Sequence, residues 1–510
     1  MPHSPLHELP DDLVIYLFDL LGVPDILILR QVKLNIRQTC KRMQETSELH
    51  IVWTNACYHQ ILPKGYPFPD VSVEDLSARE LEHHVRRAYL LASYWLSDKS
   101  PRCAVYAEFE ATNGTPVSDL RFVPGHAGNW LISVSKGIWS TLAVWELSNT
   151  GSRPRKRFEW SRRDCLLKNF VLNDDPAAEG TVAISVIQYG SVRSRVEIMS
   201  IDEEIGFRSI HIMYSALDPV HFHQDLIVLC DNSDLSTVTN WKTGASAALQ
   251  RPRQNGTATP MGLIDRCIQV LFAAESILVV RSRSLTLFPN PPLTLDTLIV
   301  HAPLAEHSFG WVDGVAMAIV IASPRTRTDL VPPLSILIRP EPEDPWTADD
   351  DHSLDLYVLR PADIPSLSSP APACPYAFPP ALASRVRSTR GALQCSDIRL
   401  GRHGTAVWVE PQNRSAVGLL HAMQDDAHAP VVRQNERLVG AVFPGPLFMG
   451  DGGGDFDAEV SVPRVRGRPL WANELNNCKA LDYDERRGLV AVGSTRGRIT
   501  VLSMVSPSSG

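Results

Sequence analysis

Pro116-Val117-Ser118-Asp119-Leu120-Arg121-Phe122-Val123-Pro124, then Trp130-Leu131-Ile132-Ser133-Val134-Ser135, then Thr141-Leu142-Ala143-Val144-Trp145-Glu146-Leu147, are three short segments parted by turn residues. Branched and aromatic side chains suit a pleated, half-buried surface, and the Pro, Gly and Asn between them break it, so the run reads as three strands of one small sheet. The triplet recurs. It returns as Val220–His223, Leu226–Cys230 and Val238–Trp241, followed by the turn Lys242-Thr243-Gly244. It returns again as Cys267–Phe272, Ile277–Arg281 and Leu285–Phe288, and last as Lys479–Asp482, Gly488–Gly493 and Arg498–Met504.

A sheet of three or four strands cannot bury both of its apolar faces alone, but stacking such sheets around an axis buries them all and shelters the edges. The expectation is a β-propeller over residues 103–510, with Ile499–Leu502 pairing in a closing sheet. At ~40–50 residues per blade the segment holds six to eight blades, with seven favoured. A pair of sandwiches is the alternative that strand spacing leaves open. Ser323–Ser353 and Pro361–Pro380, rich in proline, and Gly450–Asp457, all glycine and aspartate but for Phe456, read as inserted mobile loops.

Upstream the periodicity changes. Leu13, Leu17 and Leu21 recur at i, i+4 and i+8, with Val14 and Phe18 filling the adjoining stripe, which predicts an amphipathic helix. Asp11 and Asp12 suit its positive end, and Gly22 and Pro24 stop it. A second helix is predicted after Pro24, a helical module is predicted to end near residue 60, and 61–102 is predicted to be a linker and connecting helix. In that linker Ser77-Ala78-Arg79-Glu80 has the form of a capping box. The helix it opens carries Leu81, Val85, Ala88, Ala92 and Trp95 at helical spacing.

This N-terminal segment resembles an F-box. Leu9-Pro10-Asp11-Asp12-Leu13-Val14-Ile15-Tyr16-Leu17-Phe18-Asp19-Leu20-Leu21, Asp25-Ile26-Leu27-Ile28-Leu29-Arg30-Gln31 and Thr39-Cys40-Lys41-Arg42-Met43 follow the family's pattern in residue type and order. In that family the Leu-Pro pair and the apolar stripe dock on the small adaptor subunit of SCF-type ubiquitin ligases, and through it on the cullin scaffold, while the rest of the chain chooses the substrate. The resemblance implies an adaptor face made of Leu9, Pro10, Leu13, Val14, Leu17, Phe18, Leu21, Ile26 and Leu29. It departs from the pattern at Val32–Gln38, an insert that ends by repeating Arg30-Gln31 as Arg37-Gln38. Farther on, Val144-Trp145-Glu146-Leu147 is similar to the blade ending of WD-repeat proteins, although the family's Gly-His pair is not kept from blade to blade. The whole chain is similar to fungal F-box proteins with propeller-like C-termini.

A net charge of −8 over 510 residues gives no case for nucleic acid, which calls for a strongly basic domain. The longest apolar run, Gly314–Ala322, falls far short of the ~20 residues a spanning helix needs. With no secretory signal and nine scattered cysteines, none paired as Cys-x-x-Cys, the chain reads as a cytoplasmic or nuclear protein with reduced thiols.

Catalytic patterns are sparse: there is no His-Glu-x-x-His, no Gly-x-Ser-x-Gly and no phosphate loop. His221 and His223 alternate on a strand and could share a metal, but no third ligand accompanies them, and they read as blade-edge residues. The acidic glycine loop at 450–457 lacks EF-hand spacing. Arg153-Pro154-Arg155-Lys156-Arg157 reads as an exposed connecting loop, and Phe158 and Trp160 as the start of the next strand. The expectation is a non-catalytic substrate receptor of an SCF-type ubiquitin ligase, without cofactor or metal, whose propeller holds an unknown protein. Two rivals remain: a propeller scaffold outside any ligase, and a propeller hydrolase or lyase, which clustered titratable residues on the axis would favour.

Overall fold

The computed structural model describes residues 9–31, 37–97, 102–125, 129–148, 153–190, 194–250, 265–321, 331–341, 352–362, 374–388, 395, 397–410, 436–448, 465–473, 475 and 477–505. Among these are seven separate sheets; six follow one another along the chain, each with its first strand innermost, and the seventh joins strands from both ends of the segment. The inner strands are Val117–Phe122, Cys165–Leu172, Asp218–His223, Cys267–Ala273, Trp311–Ile319, Ile398–Leu400 and Cys478–Asp484, which we number as blades 1 to 7. Neighbouring inner strands pack side by side from blade 2 round to blade 7 and on to blade 1, so the sheets form a ring. This is a seven-bladed β-propeller.

Closure uses both ends of the propeller segment. Blade 7 takes its inner three strands from Cys478–Asp484, Leu489–Ser494 and Arg498–Ser503, and its outermost strand from Ala104–Glu110, antiparallel in the register Ala104 to Ser503 and Glu110 to Arg498. Ile499 and Leu502 pair on both sides, as expected of a closing strand. The final residues 506–510 lie outside the described ones. Trp145, on the third strand of blade 1, secures the same junction. Its indole N–H donates to Ser133 Oγ at 2.9 Å, and its ring lies 4.7 Å from that of Phe109 on the outermost strand of blade 7.

Blades 1, 3, 4 and 7 contain the predicted triplets, each completed by a fourth strand and in blade 3 by a fifth, Ile299–His301, paired in parallel with Ser246–Leu249. One expected loop differs. The stretch 323–353 contains Leu334–Glu341, a buried second strand of blade 5, whose prolines at 332, 333 and 340 had masked its Leu-Ser-Ile-Leu-Ile core. In 361–380, buried Tyr376 donates its hydroxyl to Pro332 O at 3.2 Å and so pins the loop's end. The loop at 450–457 lies outside the described residues. The basic run is also no loop: Arg155–Ser161 is the outer strand of blade 1, with Arg157 facing Glu146 and Lys156 facing Glu159.

The helical part comprises α1 (Asp11–Asp19), α2 (Val23–Gln31), α3 (Arg37–Ser47), α4 (His50–Ala56) and α5 (Ala78–Leu96). α2 starts before Pro24, which sits in its first turn, where a missing N–H costs nothing. Ser77 and Glu80 form the expected capping box at α5. α5 joins the two parts. Its first half gives Leu81, Val85 and Ala88 to the core around Trp53, while its second half gives Leu91, Ala92 and Trp95 to a core shared with blades 6 and 7. A 19-residue helix spans about 28 Å, so one rod fixes the spacing of the two parts. Further ties run from Arg468 Nη1 to Trp95 O at 3.1 Å and between His403 Nδ1 and Gly65 O at 2.9 Å.

Glycine is required at one of these contacts. Trp95 lies so close to Gly440 that an added Cβ would stand 2.7 Å from its ring. Trp95→Ala, which empties this fully packed site, should lower the unfolding free energy by about 3–5 kcal/mol, read in a denaturant melt. A loss under about 1 kcal/mol would show that the junction contributes little.

Candidate functional site

The apolar residues of α1 divide into two stripes. Val14 and Phe18 face inward, joining Val23, Ile26, Val52, Trp53 and Ile61 in the module's core. Leu13, Tyr16, Leu17 and Leu20, at i, i+3, i+4 and i+7, stay at the surface, with Leu13 49% and Leu17 40% exposed. Ile28 and Leu29 of α2 are exposed as well. The inner stripe is held by α4 and α5, and by Arg30, which donates to Glu82 at 2.7 Å and to Ser47 Oγ at 2.9 Å.

The adaptor face expected from the sequence is therefore split. Leu13, Leu17 and Leu29 are exposed and Pro10 stands exposed at the start of α1; Leu9 and Leu21 are half-buried against the core. Val14, Phe18 and Ile26 are wholly buried and cannot offer side chains to a partner, because α4 and α5 already cover them. Tyr16, Leu20 and Ile28, outside the face expected from the sequence, are exposed beside Leu13 and Leu29. Of the insert at Val32–Gln38, residues 32–36 lie outside the described residues and Arg37-Gln38 open α3.

On the propeller, charged residues do converge near the axis. Asp482 of blade 7 accepts from Phe122 N–H of blade 1 at 2.7 Å and from Arg399 Nε of blade 6 at 3.0 Å. Asp397 accepts from Leu481 N–H at 3.1 Å, and Asp119 accepts from Leu120 N–H at 2.8 Å and from Arg121 at 2.6 Å. Burial raises the Asp119 carboxyl above the usual carboxylate range despite Arg121 beside it. Gln269 and Asn169 do similar work, the first accepting from Met317 N–H and the second donating to Pro219 O. Apart from Arg399 with Asp482, which is side chain to side chain, each of these blade-crossing pairs sets a polar side chain of one blade against the main chain of the next, which fixes neighbouring blades in register.

His223 stacks on Phe272, His221 lies tilted against the same ring, and the two flank Asp174. His223 Nδ1 is 2.6 Å from Asp174 Oδ1, whereas His221 Nε2 is 3.8 Å from Oδ2, beyond hydrogen-bond reach. Among the described residues no group of three or more His, Cys, Asp or Glu is arranged to hold a metal ion. Burial lowers the His221 pKa to about 4, so it is neutral in the fold and takes a proton on unfolding below its ordinary value of ~6.5. Its contribution to stability is complete above ~6.5 and is lost as pH falls toward 4. Wild type should lose about 3 kcal/mol more than His221→Phe between pH 7 and pH 4 in matched denaturant melts. Parallel losses would show that His221 titrates alike in both states.

No family model and no curated protein matches this chain. Among solved structures, the WD40 β-propeller domain of Doa1 is similar, with a TM-score of 0.42 and 10% identity, covering 80% of this chain and 98% of that one. So distant a likeness adds nothing to the strand pairing, from which the seven-bladed ring follows directly. Among the described residues, no helix is long and apolar enough to cross a membrane.

Proposed function

We propose that this chain is the substrate-recognition subunit of an SCF-type ubiquitin ligase, with α1 and α2 binding the adaptor and the propeller holding a target protein. The uncovered row of Leu13, Tyr16, Leu17 and Leu20 carries this reading, since it lies in the segment that resembles an F-box. An apolar helix face of this kind suits a groove on a partner. The rod-like α5 supports it further. A receptor acts by proximity, and a rigid spacer raises the effective concentration of a target lysine near the ubiquitin-carrying enzyme without chemistry of its own.

The axial charge cluster is what a hydrolase or lyase reading would look for. Its carboxylates are spent on main-chain N–H groups and guanidiniums, which favours a structural role. Co-purification of the full chain with the adaptor and cullin tests the ligase reading. Failure of the wild-type chain to capture the adaptor would leave a propeller scaffold as the better account.

A further inference from the structure

α5 and the linker occupy the end of blades 6 and 7 where the inner strands finish, against Gly488 and His403. Antiparallel order puts the turns between second and third strands, and the loops entering each inner strand, at the opposite end. There the turns of blades 1 and 2 present side chains that a solvated turn has no use for. Ile138 is 84% exposed, Tyr189 57% and Trp139 43%.

These residues are interlocked. Tyr189 donates its hydroxyl to Ile138 O at 3.1 Å and its N–H to Asp164 O at 2.8 Å, while the Arg163 guanidinium lies 5.4 Å from the centre of the Trp139 ring. Two turns and the loop between blades 1 and 2 thus form one preformed patch. Tryptophan, tyrosine and arginine dominate the energetic centres of protein interfaces, and side chains already held in place lose little entropy on binding.

Charge narrows the partner. Among the described residues Arg163 has no carboxylate partner. Arg162 and Arg195 share the single Glu197, at 3.3 and 3.7 Å, and Lys136 donates to the Lys168 carbonyl at 2.8 Å. Exposed Asp164 offsets one of these cations, and the zone remains positive on a chain whose net charge is −8. We infer that the open end of blades 1 and 2, centred on Ile138, Trp139, Arg163 and Tyr189, docks a protein segment that presents an apolar side chain flanked by carboxylates. The inference rests on the reading that the propeller holds a protein, and not on the ligase assignment.

Selection of the full chain against a displayed library of random twelve-residue peptides tests it. Enriched peptides should carry an aromatic or aliphatic residue beside Asp or Glu. A synthetic peptide of that sequence should bind Trp139→Ala and Ile138→Asp at least tenfold more weakly than wild type. Ile138 is so exposed that its replacement leaves folding intact, which a thermal melt checks. Arg163→Glu should also weaken binding, and a peptide with its acids changed to Lys should restore it. A Leu13→Asp/Leu17→Asp chain should bind the peptide normally, so that loss of adaptor capture and loss of peptide binding are read separately. Enrichment of nothing or of basic peptides, equal binding by the variants, or binding of a twelve-residue oligothymidylate through the same side chains would overturn the inference.

Discussion

A Leu13→Asp/Leu17→Asp chain should fold like the parent and capture the SCF adaptor no better than background. Both side chains stand at the surface of α1, so in the free protein the new carboxylates meet water and cost little beyond a few tenths of a kcal/mol in helix propensity. In a complex that closes over this face each carboxylate would be stripped of water with no partner, at about 1–3 kcal/mol apiece. Together that is roughly 30-fold to more than 10,000-fold in affinity. Val14→Asp or Phe18→Asp makes the contrast, because those positions lie in the module's own core and a charge there should unfold the helices themselves. Adaptor capture unchanged in a folded Leu13/Leu17 double variant would remove the adaptor reading.

The inward and outward stripes of α1 could not be told apart from the sequence, and the reason is geometric. Leu13 and Val14 are one residue apart, about 100° around the helix, and both rows are apolar. Which row is covered depends on α4 and α5, more than thirty residues away. The blades were more legible, because a strand's alternation and its flanking turns are local signals. Where local signals conflicted the reading failed, as at Leu334–Glu341 between prolines and at Arg155–Arg157, whose cations suggested a loop although Phe158 and Trp160 beyond them read correctly as strand. The Trp139 patch left a faint trace in Lys136-Gly137-Ile138-Trp139-Ser140, a turn with large apolar residues where small polar ones are usual. Its link to Arg163 and Tyr189 exists only once the blades are stacked.

A chain cut after Gly493 should fail to form a stable monomer. In blade 7 the strand Arg498–Ser503 stands between Ala104–Glu110 and Leu489–Ser494, so removing it takes from the first its only sheet partner among the described residues and opens a ladder edge on the second. Ile499, Val501, Leu502 and Met504 are all buried. At about 1.5–3 kcal/mol for each large apolar side chain, their loss comes to roughly 6–12 kcal/mol. That matches the whole stability of an ordinary domain, about 5–15 kcal/mol, and the exposed edges invite pairing between molecules. Size-exclusion chromatography and a thermal melt should show aggregate and no cooperative transition, while a chain ending at Val505 stays monomeric. The effect is large because closure is non-covalent: the two ends of the propeller segment meet in this one sheet, and no other strand among the described residues pairs across so much of the chain. A truncated chain as stable and monomeric as the parent would mean that the ring is held shut elsewhere, by α5 against blades 6 and 7, and that Ala104–Glu110 only decorates it.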